Sequence, residues 1–264
     1  YYFLADTEGL GFQLYPEVTL TAVQLDVVSV SSGSNNQSVV GQRKFYTFGG
    51  VGVAAGDSVK WVPGGGNPVD ACDIQGATTI TGDGISNNIA TVINPGLTYD
   101  GTNGNSIAFL DRTPDGTIAY ELCYAFTSRN LANAAAEPYK LHPEFKLTVS
   151  EIVGIGATAG DTFSAVVQQS KNFAFLGSGI SSIDRVRYIS GSNASAIDEN
   201  CLFDPQAGGL VGANVQSNVL AVTGPSGNYA NDVTFMTRSN PTEPFFLCYK
   251  FGAEPYRLYP SLSV

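Results

Sequence analysis

The sequence predicts an all-β protein built from tandem antiparallel modules, and three observations carry that prediction. A long motif recurs: Tyr120–Val149 opens YELCYAF, crosses a polar loop and closes EPYKLHPEFKLTV, and it returns as FFLCYKFGAEPYRLYPSLSV over 245–264. A shortened copy opens the chain, as YYF at 1–3 and GFQLYPEVTL at 11–20. Self-similarity at a fixed long period is the mark of a repeat architecture. Within each copy the apolar residues fall on every second position, as in Tyr139, Leu141, Pro143, Phe145, Leu147 and Val149, which is the period of a half-buried strand. Thirty Gly and thirteen Pro, with only 14% charged residues, fit short strands joined by turns.

The repeat sets the domain organisation. Pro16, Pro143 and Pro260 occupy one slot, 127 and 117 residues apart, and Tyr1, Tyr124 and Tyr249 occupy another, 123 and 125 apart. Each period is long enough to form a domain. The expected division is 1–16 as the closing strands of a preceding repeat, 17–143 and 144–260 as two whole repeats, and 261–264 as the end of a last strand or the start of the next repeat. The chain begins and ends in mid-pattern and reads as a window on a longer protein.

Composition bounds the partners. With 264 residues, 43% of them hydrophobic, a sizeable core is available and disorder is not expected. A net charge of −10 argues against nucleic acid and against an anionic membrane surface, and no apolar run approaches the length of a membrane span. The four cysteines fall two per module in matched slots, Cys72 with Cys123 and Cys201 with Cys248. That pattern favours one disulfide in each module and an oxidising compartment. Zinc is the rival reading, but there is no CxxC pair and His142 is the single histidine. No cofactor or metal is expected.

Taken in order, Phe12–Leu20 closes one repeat. The proline in the middle of each alternating stretch cannot donate a ladder hydrogen bond, so it belongs at an edge, a bulge or a change of sheet. The change of sheet is the preferred reading, which leaves almost no linker and holds neighbouring modules stiffly. Leu20–Val30 is rich in β-branched residues and reads as a strand. SSGSNNQS then reads as a loop, Arg43–Phe48 as a strand, GGVGVAAGD as a turn-rich connection and Ser58–Val62 as a strand. Arg185–Ile189 takes the last slot again, which makes Trp61 and Tyr188 matched core aromatics. A Gly- and Asn-rich region follows, with interrupted strands at 77–80, 89–93 and 106–110. In Ile118–Phe126 the residues Ile118, Tyr120, Leu122, Tyr124 and Phe126 share a face expected to be core, which puts Cys123 on the outer face. Leu247, Tyr249 and Phe251 repeat that face opposite Cys248. A disulfide there staples a long loop to a strand, and closing about fifty residues contributes roughly 4 kcal/mol through the unfolded chain.

Asp115-x-x-x-x-Tyr120-x-x-Cys123 resembles the tyrosine-corner strand of immunoglobulin-like β-sandwiches, and Lys60-Trp61 resembles their buried-Trp strand. Three departures mark it off from the antibody type. Tyr precedes Cys by three residues, Cys72 follows the Trp, and Tyr188 replaces Trp in the second module. The resemblance implies an Ig-like, or E-set-like, sandwich with a differently placed disulfide. The repeated LCYxFxxEPYxLYPxLxL signature resembles the tandem modules of very large secreted proteins of algae and other protists, the flagellar-hair (mastigoneme) type among them. That implies a shaft-forming extracellular fibre component.

Sites with chemistry are few. Gly50, Gly52 and Gly56 have one residue too many for a dinucleotide fingerprint and precede a strand where a helix is required, so they read as turn glycines. Gly154, Gly156 and Gly160 read likewise. His142 is placed on the polar face of its strand, with Tyr15 and Tyr259 in the same slot, which argues against catalysis. Asp70, Asp73, Asp111 and Asp115 lack the fixed spacing of a Ca²⁺ loop and read as solvated surface. Two intact sequons, Asn36-Gln37-Ser38 and Asn193-Ala194-Ser195, mark candidate N-glycosylation at Asn36 and Asn193, whereas Pro241 blocks Asn240.

The expected function is therefore structural and not enzymatic: a repeat module of a long extracellular rod or filament on the cell surface, self-associating with copies of itself or sister chains and carrying N-linked glycans. The alternative is a cell-surface adhesin or carbohydrate-binding repeat using loops 63–106 and 190–232, where Tyr99 and Tyr229 are the aromatic candidates.

Overall fold

β-Branched and aromatic residues in short runs between glycine-rich turns give antiparallel sheets, because such side chains pack well on a pleated surface. The computed structural model describes residues 22–65, 68, 72, 80–82, 85–86, 89–109, 118–126, 139–157, 159–190, 201, 215–216, 220–221, 229–236 and 244–264. Every element with defined bounds is a strand. The N-terminal half contains β1 (Gln24–Val30), β2 (Gln37–Val39), β3 (Lys44–Val51), β4 (Ser58–Pro63), β5 (Ile80–Gly82), β6 (Ile85–Ser86), β7 (Ile89–Thr91), β8 (Asn105–Phe109) and β9 (Tyr120–Ala125). β10 (Lys140–Ala157) joins the halves. The C-terminal half continues with β11 (Ser170–Ser178), β12 (Arg185–Ser190), β13 (Val215–Gln216), β14 (Leu220–Ala221), β15 (Ala230–Phe235), β16 (Phe245–Lys250) and β17 (Arg257–Ser263).

Two cores result. The first is filled by Leu25, Tyr46, Phe48 and Phe109 from the β1-β3-β8-β5 sheet and by Trp61, Tyr120, Leu122 and Tyr124 from β4 and β9 opposite. The second sets Ile152, Phe173, Phe175 and Val233 of β10, β11 and β15 against Tyr188, Leu247, Tyr249 and Leu262 of the β14-β12-β16-β17 sheet. Trp61 and Tyr188 are both buried. The same local devices recur 127 residues apart. β1 pairs with β3 through a register shift between Leu25 and Val27, and β10 pairs with β11 through one between Ile152 and Gly154. Opposite those shifts lie Gly50 and Gly177, where an added Cβ would come within 2.1 Å of the Gln24 carbonyl and 2.0 Å of the Glu151 carbonyl. Only glycine lets the backbones approach that closely.

β10 shows how the chain passes from one half to the other. Its first part pairs with β9 up to Leu147, Thr148–Ser150 pairs in parallel with β2, and Glu151–Ala157 pairs with β11. Pro143 does not mark the change of sheet that its sequence context suggested. It sits in a register shift between His142 and Lys146, and β9 pairing resumes beyond it. The bulge absorbs the missing N–H and reverses which side chains face inward. Tyr139 and Leu141 pack outward on the disulfide with Val62, whereas Leu147 and Val149 face the core. The single apolar face read from 139–149 is therefore two faces joined by a bulge. The repeat at β17 behaves alike, with Leu258 outward and Leu262 inward.

Three further expectations shift. The SSGSNNQS loop contains the start of β2. β3 runs through Gly49 and Gly50 to Val51, into the expected turn. His142 is buried, not polar-faced: the bulge turns it beneath the core, edge-on to Tyr124 and beside Phe145, with Nδ1 2.9 Å from Glu144 Oε1.

Candidate functional site: the joint between the halves

The segment between β1 and β3 lies between the two halves: Val40 packs in the first core and Gly41 N–H donates to the Phe109 carbonyl at 2.6 Å, while its other face is laid against the C-terminal half. Gly33, with φ +72°, turns the chain tightly past the Glu254 carboxylate, where an added Cβ would approach to 2.3 Å. Beyond the turn β2 runs parallel to β10. Thr148 N–H donates to the Asn36 carbonyl at 2.9 Å and Val40 N–H to the Ser150 carbonyl at 3.0 Å. Gln37 Nε2 donates to Ser150 Oγ at 3.1 Å. Val39 inserts into the second core, so the N-terminal half contributes a side chain to the interior of its neighbour. Gly41, with φ +69°, then passes beside the Arg257 guanidinium, and Gln42 Nε2 donates to the Pro255 carbonyl at 3.4 Å.

At the centre lies an ion pair. Lys44 Nζ donates to Glu254 Oε1 and Oε2, each at 2.9 Å, and to the carbonyls of Ser34 at 2.7 Å and Gln37 at 2.8 Å. Ser34 N–H donates to Glu254 Oε1 at 2.8 Å. The two side chains are 3% and 2% exposed, so neither charge is met by bulk water. Burial pulls the Lys44 ammonium below the ordinary lysine value, against the raising effect of the Glu254 carboxylate. A buried charge needs a satisfied set of partners, and here the partners come from both halves.

Each half has its own internal clasp. Tyr124 Oη donates to Asp57 Oδ2 at 2.7 Å, and Tyr249 Oη donates to Asp184 Oδ2 at 2.7 Å. Both aspartates also fold back on a turn, accepting from the N–H groups of Ala54 and Ser181, each at 2.9 Å. Burial, reinforced by the adjacent carboxylates, holds both phenols far above the ordinary tyrosine value.

Cys72 is bonded to Cys123 and Cys201 to Cys248, each pair with 5.7 Å between Cα atoms, and all four are buried outside the two large cores. The Lys60 ammonium sits 4.7 Å from the Tyr139 ring centre and the Arg187 guanidinium 4.3 Å from that of Tyr256, covering the two disulfide clusters. Arg187 also donates to the Cys201 carbonyl.

Asn36 is exposed on the turn before β2, at the rim of the joint, and its Oδ1 accepts from Ser34 Oγ. Asn193 lies outside the described residues, as do Asp70, Asp73, Asp111, Asp115 and Tyr15. Gly52, Gly56 and Gly160 take positive φ in turns, while Gly154 and Gly156 lie within β10. Of the loop aromatics, Tyr99 stacks on Phe45 with 5.6 Å between ring centres, and Tyr229 packs against the second core. A groove of about 870 Å³ opens on the N-terminal half beside Val23, Tyr139, His142 and Glu144. No group of three or more metal-binding side chains is gathered among the described residues, and none of their helices is long and apolar enough to cross a membrane.

The sequence reading missed the Lys44–Glu254 pair, although both partners stand in repeated segments. Lys171 follows Lys44 by 127 residues, and Ala253-Glu254-Pro255-Tyr256 repeats Ala136-Glu137-Pro138-Tyr139. Compared with protein-family models and with curated proteins, the chain matches none.

Proposed function

We propose that this chain is a rigid segment of a long extracellular rod or filament, made of tandem Ig-like β-sandwich modules related to the mastigoneme type, glycosylated and without enzymatic activity. The observation that carries this reading is the joint. A strand that runs unbroken from one half to the next, a β2 that inserts Val39 into its neighbour, and a buried Lys44–Glu254 pair leave no flexible linker. Independent binding modules are ordinarily strung on mobile linkers, whereas a shaft must transmit bending stiffness from module to module. The two disulfides suit an oxidising, extracellular setting. Exposed Asn36 is a position where a glycan meets solvent while the joint stays closed.

Electron microscopy of the purified chain under non-reducing conditions, with glycan staining, tests the reading. Straight, elongated particles of constant length that stain for carbohydrate are expected. Particles bent over a broad range of angles at their middle, together with selective binding on a glycan array, would replace the rod with an adhesin.

A further inference from the structure

The joint divides the Asn36-Gln37-Ser38 sequon into an open end and a closed end. Asn36 is exposed on its turn. Its Oδ1 accepts from Ser34 Oγ, and Nδ2, the atom to which a glycan is bonded, takes no part in that contact. Ser38 is 1% exposed, and its hydroxyl is shut off from solvent. The backbone between them is held on β10. Thr148 N–H donates to the Asn36 carbonyl at 2.9 Å, and Thr148, Val149 and Ser150 pair with Gln37, Ser38 and Val39. Just before the sequon, Ser34 is fixed through its N–H to Glu254 at 2.8 Å and through its carbonyl to Lys44 Nζ at 2.7 Å.

Transfer of an oligosaccharide to asparagine joins Nδ2 to the anomeric carbon of a lipid-linked donor. The bond from that carbon to the diphosphate oxygen breaks, the lipid diphosphate leaves, and Nδ2 gives up one proton. The hydroxyl two residues on is part of what makes the tripeptide an acceptor, so both ends must be reached together. In the closed joint only the asparagine end is open. Reaching Ser38 requires β2 to be lifted off β10, and that breaks the joint.

The order of the chain keeps the tripeptide open for a limited time. Ser150, which accepts from the Gln37 side chain, follows it by 113 residues, and Glu254 follows Ser34 by 220. At a synthesis rate of about 5–20 residues per second, the clamping strand is made roughly 6–23 s after the sequon and the carboxylate roughly 11–44 s after it. Every group that closes over Ser38 from the C-terminal side is therefore absent when the acceptor is first made.

We infer that Asn36 accepts its oligosaccharide only before the joint closes, and that pairing of β2 with β10 ends the reaction by withdrawing Ser38. A glycan already in place is compatible with closure, because Asn36 itself stays exposed. This inference rests on the glycosylated reading above and adds to it the order of events at that site.

The test uses full-length chain made without glycosylation and folded, then offered to a purified oligosaccharyltransferase with its lipid-linked donor. Modification is read by mass spectrometry of the peptide that contains Asn36. Folded wild type is expected to stay unmodified at Asn36, whereas a synthetic peptide of residues 31–43 is modified. Glu254→Ala, which loosens the joint, is expected to be modified at Asn36 about tenfold faster or more, because the open form is more populated. Folded wild type modified as fast as the peptide would overturn the inference and leave the glycosylated reading standing. Glu254→Ala as resistant as wild type, with its joint shown to be loosened by scattering, would overturn the role given to joint closure. A peptide that is not modified would remove Asn36 as an acceptor, and the inference would fall with that part of the proposed function.

Discussion

Glu254→Ala is the substitution that interrogates the joint most directly. It removes the carboxylate that accepts from Lys44 Nζ twice at 2.9 Å and from Ser34 N–H at 2.8 Å. Two unit charges at that separation attract by about 6 kcal/mol at an effective dielectric of about 20. Desolvation of both groups offsets most of that, so the intact pair contributes little net stability. The broken pair is different. Lys44 keeps the carbonyls of Ser34 and Gln37 but remains a buried cation without a counter-charge, which costs about 3–5 kcal/mol. The assay is urea unfolding, followed by circular dichroism and by small-angle scattering at low denaturant. The variant is expected to unfold in two steps where the wild type unfolds in one. It is also expected to show a larger radius of gyration in native buffer, as the halves lose their fixed angle. The double variant Lys44→Met/Glu254→Leu is expected to recover most of the loss, because it removes both buried charges together. A loss below about 1 kcal/mol for Glu254→Ala with unchanged scattering would refute the reasoning, since it would mean that water reaches the pair.

Three further outcomes follow from the fold. Gly177→Ala drives a Cβ to within 2.0 Å of the Glu151 carbonyl, a backbone atom, so the β10–β11 pairing must shift. Calorimetry is expected to show a loss of about 1–3 kcal/mol, and wild-type stability would contradict the bulge geometry. Replacing Cys72 and Cys123 together by Ala opens a loop whose ends are 51 residues apart, and denaturant unfolding is expected to show a loss of about 4 kcal/mol. Raising the pH titrates the tyrosines in two groups. Burial holds Tyr46, Tyr124, Tyr188 and Tyr249 above the ordinary value of 10.0, and Tyr259 is pushed up to about 12. The folded state therefore keeps protons that the unfolded chain releases. Stability is full below pH about 10 and falls as the pH climbs from there through about 12. Tyrosinate absorbance is expected to rise in a late, steep step coincident with loss of the far-ultraviolet signal; one smooth titration of all tyrosines near 10 would contradict their burial.

The sequence by itself determined the all-β class, because period-two alternation and β-branched runs are local consequences of strand geometry. It also placed the core aromatics Trp61, Tyr120, Tyr124 and Tyr188, since matched slots 125 or 127 residues apart point to matched environments. The tertiary structure alone decided three things. It put Pro143 in a bulge that reverses the inward face of β10, because a register shift depends on the partner strand and not on local pattern. It buried His142, which the undisturbed alternation faces to solvent. And it brought Lys44 to Glu254 across 210 residues, a pairing that no local rule ranks above any other lysine and glutamate in the chain. Alternation is set by adjacent peptide units, whereas a buried charge finds its partner only after two halves of the chain have closed over it.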